Sequence, residues 1–517
     1  NDVFENNASD YGRKLYLIEN CIYGIDIQPI AVQIAKLRFF ISLIVDQKIN
    51  SHKENFGIRS LPNLETKFVA ANTLIGLEKS QQLSFRNPEI EKKENELKQL
   101  RHEYFTANTR KRKLELQKKD KILRKEIAEL LEKDGWPETT ARQIAAFDPY
   151  DQNHFANWFD PEWMFGITSG FDIVIGNPPY IQLQKNSGQL AKLYEKQNFQ
   201  TFARTGDIYA LFYEKGMQLL KDNGILAYIT SNKWMRAGYG EKLRVFFTLF
   251  NPIILIDLGP DVFENATVDT NILFLQKNKP QTTFQLKAIT LQKNDRNNIA
   301  RALLEQYTTL EKLSADAWFI GSSAEQQLKE KIERIGKPLK DWDVKIYRGV
   351  LTGLNEAFII TTEKRNEILA NCSVAEASRF GGLTERERTE AIIKPILRGR
   401  DIKRYYYEWA GLWVIFIPWH FPLHEDTSIQ GASEKAEKEF QKQYPAIYSH
   451  LLEFKEPLSK RNKEETGIRY EWYALQRCAA TYYPEFEKEK VVYGQFQDYA
   501  EYSFCEAGIY LSSNEYM

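Results

Sequence analysis

Cysteine is scarce in this sequence of 517 residues, and the few cysteines form no pattern. They share no Cys-x-x-Cys spacing and lie far apart, at Cys21, Cys372, Cys478 and Cys505. Neither a zinc site nor a disulfide framework is therefore indicated, and we expect no metal centre. Scattered cysteines of this kind suit a reducing compartment, so we expect a cytoplasmic protein.

Long apolar runs and a surplus of charge of either sign are also missing. The longest apolar stretches, such as Leu412–Pro418, are too short to cross a bilayer, and no signal peptide opens the chain. We therefore expect no membrane partner. Basic and acidic residues number 70 each, so affinity for a polyanion must come from local patches rather than from net charge.

The most informative segment that the chain does contain is Gly176-Asn177-Pro178-Pro179-Tyr180, directly after the apolar run Phe171–Ile175. Asn177 can accept a hydrogen bond from an exocyclic amino group, and the Pro178 carbonyl can accept a second one. Tyr180 offers a ring on which a base pulled out of its helix can stack. A plain strand followed by a turn would carry the same letters, so this segment alone leaves both interpretations open.

Asn177–Tyr180 resembles motif IV of the amino-methyltransferases that use S-adenosylmethionine, in the form typical of DNA adenine-N6 enzymes. Other segments match motifs II, III, V and VI and the late strands of that family in the same order: Tyr23–Pro29, Ala71–Leu74, Thr205–Phe212, Gly224–Thr230, Val262–Glu264 and Val268–Phe274. The resemblance implies a site-specific DNA methyltransferase module of a bacterial restriction-modification or phage-defence enzyme. It would transfer a methyl group from S-adenosylmethionine to a flipped adenine, with Asn177, Pro178, Pro179 and Tyr180 as catalytic residues.

Two later segments, Gly349–Phe358 and Lys394–Ile402, resemble the TaqI-like target-recognition domain of single-chain type IIG enzymes. The resemblance implies double-stranded DNA as the partner. Arginine and tyrosine are interleaved through 398–407, which suits a nucleic-acid face, although exposed arginines beside core tyrosines would look the same. The DNA-binding residues expected here are Arg348, Thr352, Asn355, Arg398, Arg400 and Arg404.

The alternation of predicted strands and helices indicates an α/β fold with a doubly wound, mostly parallel sheet of the Rossmann-like methyltransferase type. We expect residues 1–78 and 166–334 to form this domain, with a helical or coiled-coil insertion at 79–165. An α+β target-recognition domain would occupy 335–517. In detail, 15–27 is predicted as a strand, and 30–45 as an amphipathic helix with its apolar stripe at Ile30, Ile34, Leu37 and Ile41.

The predicted insertion is dense in Lys, Glu, Arg and Leu over 88–135. Leu97, Leu100 and Tyr104 fall at helical spacing, and a second apolar stripe follows at 123–131, so we predict a helical hairpin. The basic run Arg110–Lys113 could touch phosphates at its tip, but a solvated helix surface is the favoured interpretation.

For the cofactor, the resemblance implies that Asp26 binds the ribose hydroxyls of S-adenosylmethionine and that Ile27 packs near its adenine ring. It also implies that Asn72 contacts the adenine and that Asp207 orders the cleft. A strand-end Asp26 that only caps the following helix is the alternative.

The sequence departs from the family at one point, because no Phe-x-Gly-x-Gly loop precedes Asp26. We therefore expect a fragment trimmed at both ends, with room for a nuclease domain in a missing N-terminal part. We also expect weak or absent binding of S-adenosylmethionine by this chain alone. Two alternative functions stay open: a DNA-binding specificity module on an inactive methyltransferase scaffold, and a protein or RNA N-methyltransferase.

Overall fold

The computed structural model describes residues 10–47, 49–78, 87–263, 268–279, 285–310, 313–375, 381–461, 470–477, 482–495, 499–513 and 515–517. The chain divides into two compact units, Asn1–Arg334 and Ile335–Met517. In the described part of the chain, no helix is both long and apolar enough to cross a membrane. Glu264 and Cys478, which the sequence analysis singled out, lie outside the described residues.

The first unit opens with a helix where the sequence predicted a strand. Residues Asp10–Asn20 are helical, and only Gly24–Asp26 (β1) is extended, so the strand prediction for 15–23 was wrong. Tyr11 and Ile18 are seven residues apart, which puts both on one helix face, and both are buried beside Leu43 and Leu64. β1 pairs in parallel with Phe68–Ala70 (β2), with Asp26 opposite Ala70.

The main sheet of this unit has six strands: β3 (Phe171–Gly176), β4 (Leu220–Ser231), β5 (Asn251–Gly259), β6 (Thr270–Gln276), β7 (Leu286–Thr290) and β8 (Thr308–Leu310). Their order is β3-β4-β6-β5-β7-β8. The pairs β3–β4 and β5–β7 are parallel, whereas β6 runs antiparallel to both of its neighbours. The α/β class is confirmed, but the sheet is mixed rather than mostly parallel. Only 260–269 separate β5 from β6, too few residues for the crossover that a parallel pair requires.

The direction of the strands decides where a site can form. β3, β4, β5 and β7 share one direction, so their carboxyl ends lie along one edge of the sheet, where α/β proteins bind their ligands. The helix Tyr209–Leu219 packs closely on β4 because Gly216 has no side chain; a Cβ there would stand 2.3 Å from Leu226 Cδ1. This helix ends at Leu219, and β4 begins at the next residue, Leu220.

The remaining helices of the first unit are Pro29–Val45, Pro88–Thr106, Arg110–Lys133, Glu138–Ala146, Pro161–Phe165, Lys185–Glu195, Glu241–Phe247, Ile299–Gln306 and Ser323–Ile335, the last of which ends on the first residue of the second unit. The predicted hairpin is formed by the second and third of these. The two helices run antiparallel, with ion pairs Lys93–Glu126 (2.7 Å) and Arg112–Glu103 (2.6 Å) between them. Arg110 and Lys111 are exposed near the turn. Contact of this basic run with phosphates stays a prediction.

One face of the first unit carries large apolar side chains that the described residues leave uncovered. On β3, Ile173 and Ile175 are 63% and 81% exposed, and the only described strand that pairs with β3 is β4. On the helix Pro29–Val45, the predicted apolar stripe is exposed to solvent, at Ile30, Ile34, Leu37 and Ile41. The buried face of this helix carries Val32 and Leu43 instead. That helix is apolar on nearly every face, so periodicity could not select the buried one.

The second unit combines small sheets with short helices, as expected for an α+β unit. Its strands are β9 (Ile359–Thr361), β10 (Ile393–Leu397), β11 (Ile402–Lys403), β12 (Tyr406–Tyr407), β13 (Leu412–Ile415), β14 (Lys490–Gly494), β15 (Tyr502–Cys505), β16 (Tyr510–Leu511) and β17 (Glu515–Tyr516). They form sheets in the orders β16-β10-β13-β9, β15-β14-β17 and β11-β12. The helices are Asn355–Phe358, Thr362–Ala370, Glu385–Ile392, Glu434–Gln443, Pro445–Leu452 and Lys455–Ser459. Although the apolar and aromatic residues at 344–347 would suit a strand, none forms there. Ala357 lies in the short helix Asn355–Phe358, and β9 begins directly after that helix.

Candidate functional site

The Asn-Pro-Pro-Tyr segment lies at the carboxyl end of β3, directly after its last residue. Asn177 and Pro179 are exposed, whereas Pro178 is buried. The Tyr180 hydroxyl donates to Asn177 Oδ1 over 3.0 Å and approaches the Ile229 carbonyl oxygen at 3.4 Å. The amide oxygen of Asn177 is therefore turned toward Tyr180, and its second lone pair stays available at the surface.

Tyr180 is enclosed by other aromatic rings. Its ring centroid lies 6.3 Å from that of Tyr209, in an edge-on contact, and 6.4 Å from that of Phe263, at an interplanar angle of 56°. Burial raises the pKa of Tyr180 to about 12, so its hydroxyl stays protonated and able to donate at neutral pH. Sequence reasoning placed Phe263 among the late strands and missed it as a site residue. The available signal was an aromatic residue in the loop that follows β5.

Backbone hydrogen bonds attach this segment to the predicted motif V. Leu183 N donates to the Gly206 carbonyl oxygen at 2.9 Å, and Ile208 N donates to that of Ile181 at 3.0 Å. Asp207 lies between these two bonds and is buried. Burial raises the pKa of its carboxyl group, and the Tyr239 hydroxyl donates to Asp207 Oδ2 over 3.4 Å. Asp207 thus lies beside the residues that directly follow the Asn177–Tyr180 segment, and its role in ordering the cleft stays a prediction.

The carboxyl edges of β4 and β5 are held by a further polar cluster. Asn232 Nδ2 donates to Asp257 Oδ1 at 3.0 Å, and Asn271 Nδ2 donates to the Ser231 carbonyl oxygen at 3.0 Å. Both Asp257 and Asn271 are buried. These two hydrogen bonds connect β4 to β5 and to β6, so the amide nitrogen of Asn271 is used within the protein.

The proposed cofactor residues are at the ends of β1 and β2. Asp26 is exposed, and its Oδ1 accepts from Gln28 N at 2.8 Å in the turn that leads into the following helix. No described residue donates to its other carboxylate oxygen, so this turn leaves that oxygen available. Ile27 is 57% exposed beside it. An available carboxylate oxygen next to an uncovered apolar side chain fits a ribose and its attached base.

Asn72 fits a direct ligand contact less well than Asp26 does. It is buried at the end of β2, where its Oδ1 accepts from Leu74 N at 3.1 Å and its Nδ2 donates to the Tyr194 hydroxyl at 3.3 Å. Both ends of the side-chain amide are therefore engaged within the protein. The assignment of Asn72 to the cofactor stays a prediction.

In the second unit, three of the predicted DNA-binding side chains are engaged within the protein. Thr352 is buried, and its hydroxyl donates to Asn355 Oδ1 at 2.6 Å. Arg398 forms a bidentate pair with Asp401, over 2.9 and 2.8 Å. A guanidinium paired in this way stabilises its own loop, and these two donor nitrogens are engaged within the protein rather than with a ligand.

The other predicted side chains are nearer to solvent. Arg348 donates to the Ser513 carbonyl oxygen at 2.7 Å and to Gln495 Oε1 at 3.2 Å, yet it stays exposed. Arg400 and Arg404 are exposed, and the Arg404 guanidinium lies 5.3 Å from the centre of the Tyr405 ring. These two arginines retain the features that a DNA contact requires.

Residues 20–263 match a protein-family model described as Eco57I restriction-modification methylase. The chain is similar to the type II methyltransferase M.BstVI of Geobacillus stearothermophilus, with 27% identity over 217 residues that cover 38% of each chain. It is 28% identical over 196 residues to RM.Eco57I, a type II restriction enzyme and methyltransferase of Escherichia coli, covering 37% of this chain and 19% of that protein. The chain thus spans well under half the length of both curated relatives.

A shorter similarity, 33% identity over 118 residues, joins the chain to the adenine-specific methyltransferase PglX of Lacticaseibacillus casei, covering 22% of this chain and 10% of that one. Among solved structures, the type IIL restriction-modification enzyme MmeI in complex with DNA matches 99% of this chain and 59% of its own, with 11% identity and a TM-score of 0.46. The family match includes both Asp26 and the Asn177–Tyr180 segment. Residues 20–263, a little under half of the chain, are thus similar to the Eco57I restriction-modification methylases.

Proposed function

We propose that the first unit methylates the N6 amino group of adenine in double-stranded DNA and that the second unit reads the target sequence. The observation that carries this proposal is the Asn177–Tyr180 segment at the end of β3. It presents an available amide oxygen beside a half-buried ring, with a second ring, Phe263, 6.4 Å away. The names of two relatives, a type II methyltransferase and an adenine-specific methyltransferase, support this substrate class.

Two acceptors are what methylation of an aryl amine requires from the protein. The amine lone pair is delocalised into the ring, and positive charge grows on the nitrogen as the new bond forms. Asn177 Oδ1 and the Pro178 carbonyl oxygen each accept one amino hydrogen, which favours a tetrahedral nitrogen and stabilises that charge. No strong base is needed, because the proton becomes acidic as the bond forms.

The target base must leave the duplex before its amino group can reach the site. Since carbon atoms pack at about 3.5–4 Å, a base held between two rings needs them about 7–8 Å apart. The rings of Tyr180 and Phe263 are slightly closer than this and are tilted. Phe263 would therefore have to move outward and turn through most of its 56° tilt to form a slot in which both faces of the adenine are covered.

The methyl group would be supplied by S-adenosylmethionine. Asp26 would bind the ribose hydroxyls through the carboxylate oxygen that the hydrogen bond to Gln28 N leaves available, and Ile27 would pack on the adenine of the cofactor. Asp207 would keep the motif V segment against the catalytic loop. How tightly these 517 residues bind the cofactor stays a prediction, and calorimetry with a low-micromolar dissociation constant would contradict the weak binding that we expect.

The experiment is methyl transfer to duplex DNA by the protein expressed from its full reading frame, with tritiated S-adenosylmethionine as donor. We expect Asn177→Ala to abolish transfer while duplex binding is retained. Parallel reactions with ribosomal RNA and with a release-factor protein as acceptors test the alternative substrate classes. Transfer to either of these but not to DNA would overturn the proposal, as would wild-type transfer by Asn177→Ala.

A further inference from the structure

Arg296 is a cation for which the described residues of the first unit provide no ion-pair partner. It is partly buried in the turn that follows β7, and its Nε is shielded from solvent without a hydrogen-bond acceptor. Among the residues that the structure describes, none forms an ion pair with its guanidinium. Burying part of a charged group without a partner costs free energy, so this arrangement calls for an explanation.

The position of Arg296 connects it to the proposed base pocket. A Cβ added to Gly259, the last residue of β5, would stand 3.5 Å from Arg296 Nη2, so the guanidinium lies against this strand end. The loop that starts at Gly259 leads within four residues to Phe263, whose ring faces Tyr180. Arg296 therefore flanks the loop that carries one wall of the pocket.

Two acidic side chains of this strand end and turn, Asp257 and Asp295, have other partners. Asp257 Oδ1 accepts from Asn232 Nδ2 at 3.0 Å and from Gly259 N at 3.2 Å. Asp295, the neighbour of Arg296 in sequence, accepts from Gln292 N through its Oδ2 at 3.2 Å. Both carboxylates thus stabilise the backbone of strand ends and turns, and neither pairs with Arg296.

We propose that Arg296 binds a phosphodiester group of the DNA strand that carries the target adenine, close to the flipped nucleotide. A guanidinium offers a planar set of donors that matches two phosphate oxygens, and its partly desolvated position strengthens such a contact. A phosphate held here anchors the strand on the outer side of the Phe263 loop while the base enters the pocket. This inference rests on the proposed function, since it takes duplex DNA as the ligand.

The test compares Arg296→Gln with Arg301→Gln in the protein expressed from its full reading frame. Arg301 is a matched control, because it lies five residues further on and pairs with Glu305 at 2.8 Å on an exposed helix face. Binding of a fluorescent 30-base-pair duplex is measured by anisotropy from about 50 to 300 mM salt. We expect Arg296→Gln to weaken binding roughly tenfold at the low end and to lower the salt slope by about one, as for the loss of one phosphate contact.

Arg301→Gln should change neither quantity, and Arg296→Lys, which keeps the charge, should retain most of the slope. Circular dichroism and thermal unfolding show whether each variant is folded. An unchanged slope in folded Arg296→Gln, or an equal loss in Arg301→Gln, would overturn the role of Arg296. Absence of duplex binding by the unmodified protein would instead count against the proposed function, so the two failures are distinguishable.

Discussion

Two polar clusters of the first unit differ in how many of their hydrogen-bonding groups are used inside the protein. In the first cluster, Asp120 is fully buried in the helical hairpin and accepts from Arg101 Nε (2.9 Å), Arg124 Nε (2.6 Å) and the Tyr150 hydroxyl (3.0 Å). The same two guanidinium groups donate to backbone carbonyl oxygens of the neighbouring helices and loops. Burial alone would raise the pKa of the Asp120 carboxyl, but the two arginines hold it below its ordinary value.

The second cluster, at the end of β3, is open by comparison. Asn177 is exposed and accepts one hydrogen bond from Tyr180, and among the described residues none donates to the Pro178 carbonyl that follows it. The difference teaches how to separate structural from functional polar residues in this unit. Asp120 stabilises the fold because its acceptors are filled, whereas Asn177 can act on a substrate because its own are not.

The largest expected effect is on catalysis, from Asn177→Ala. Removing one of two acceptors that stabilise the transition state should lower the rate of methyl transfer by about 10²–10³-fold or more. The free energy of unfolding should change by less than about 0.5 kcal/mol, because the residue is exposed. Single-turnover methyl transfer and urea denaturation measure the two quantities. A large loss of stability in Asn177→Ala would show that Asn177, like Asp120, serves the fold, and would contradict the contrast between the two residues.

The converse variant is Asp120→Ala, which should lower the free energy of unfolding by about 3–5 kcal/mol, since two buried guanidinium groups lose their counter-charge. The loss should shrink as the pH falls below about 4, because there the unfolded carboxyl group takes up a proton while the folded one, whose pKa is lower, stays ionised. Urea denaturation at pH 7 and at about pH 3 is the measurement. Glu103→Ala, which removes the exposed partner of Arg112, is the matched control and should cost under about 1 kcal/mol. Equal losses in the two variants would contradict the account.

Tyr180 allows its ring and its hydroxyl to be tested separately. Tyr180→Phe removes only the hydrogen bond to Asn177 Oδ1, worth about 1 kcal/mol, so we expect about a fivefold lower rate constant. Tyr180→Ala also removes one stacking face, worth about 1–3 kcal/mol, and should weaken base flipping further. Fluorescence of 2-aminopurine at the target position reports flipping. Full flipping by Tyr180→Ala would show that this ring does not hold the base.

The smallest expected effect concerns Lys67, whose charged group is intermediate between Asp120 and Asn177 in how far contacts within the protein engage it. Its Nζ is 4.4 Å from the centre of the Tyr23 ring and donates to the Tyr23 hydroxyl at 3.3 Å. Burial lowers the pKa of Lys67 to about 8, although the charge of Glu19 opposes this shift.

Between pH 8 and about 10.4 the unfolded chain therefore holds a proton at Lys67 that the folded protein has released. The free energy of unfolding of the wild type should rise relative to that of Lys67→Met as the pH increases through this range. Urea denaturation of both proteins at pH 7 and pH 9.5 measures the change. A constant difference would show that the lysine is solvated.

The sequence predicted the functional segment better than the surroundings that complete it. The position of Asn177 followed from a short apolar strand and a Pro-Pro turn, because both features depend on residues next to each other. Phe263 was missed since its approach to Tyr180 depends on the pairing of β4, β6 and β5. Arg398 has a different explanation, because its pairing with Asp401 is a short-range contact that its basic, aromatic context concealed.

The predicted element boundaries were wrong where the local sequence pattern fitted both a helix and a strand. Residues 15–23 are short and mixed in character, and burial of Tyr11 and Ile18 decides for a helix. The helix Pro29–Val45 was predicted correctly, yet its buried face could not be, because apolar residues surround it. The mixed sheet results from the short connection between β5 and β6. The prediction from the pattern of strands took no account of the length of that connection.

The central claim is that this chain provides the active site of a DNA adenine-N6 methyltransferase through Asn177. The most direct measurement is single-molecule sequencing of DNA from a methylation-deficient host that expresses the full reading frame, alongside the Asn177→Ala variant. The account predicts N6-methyladenine at one short sequence motif with the wild type and none with the variant. Unmodified DNA in the presence of soluble wild-type protein, or equal modification by Asn177→Ala, would contradict it.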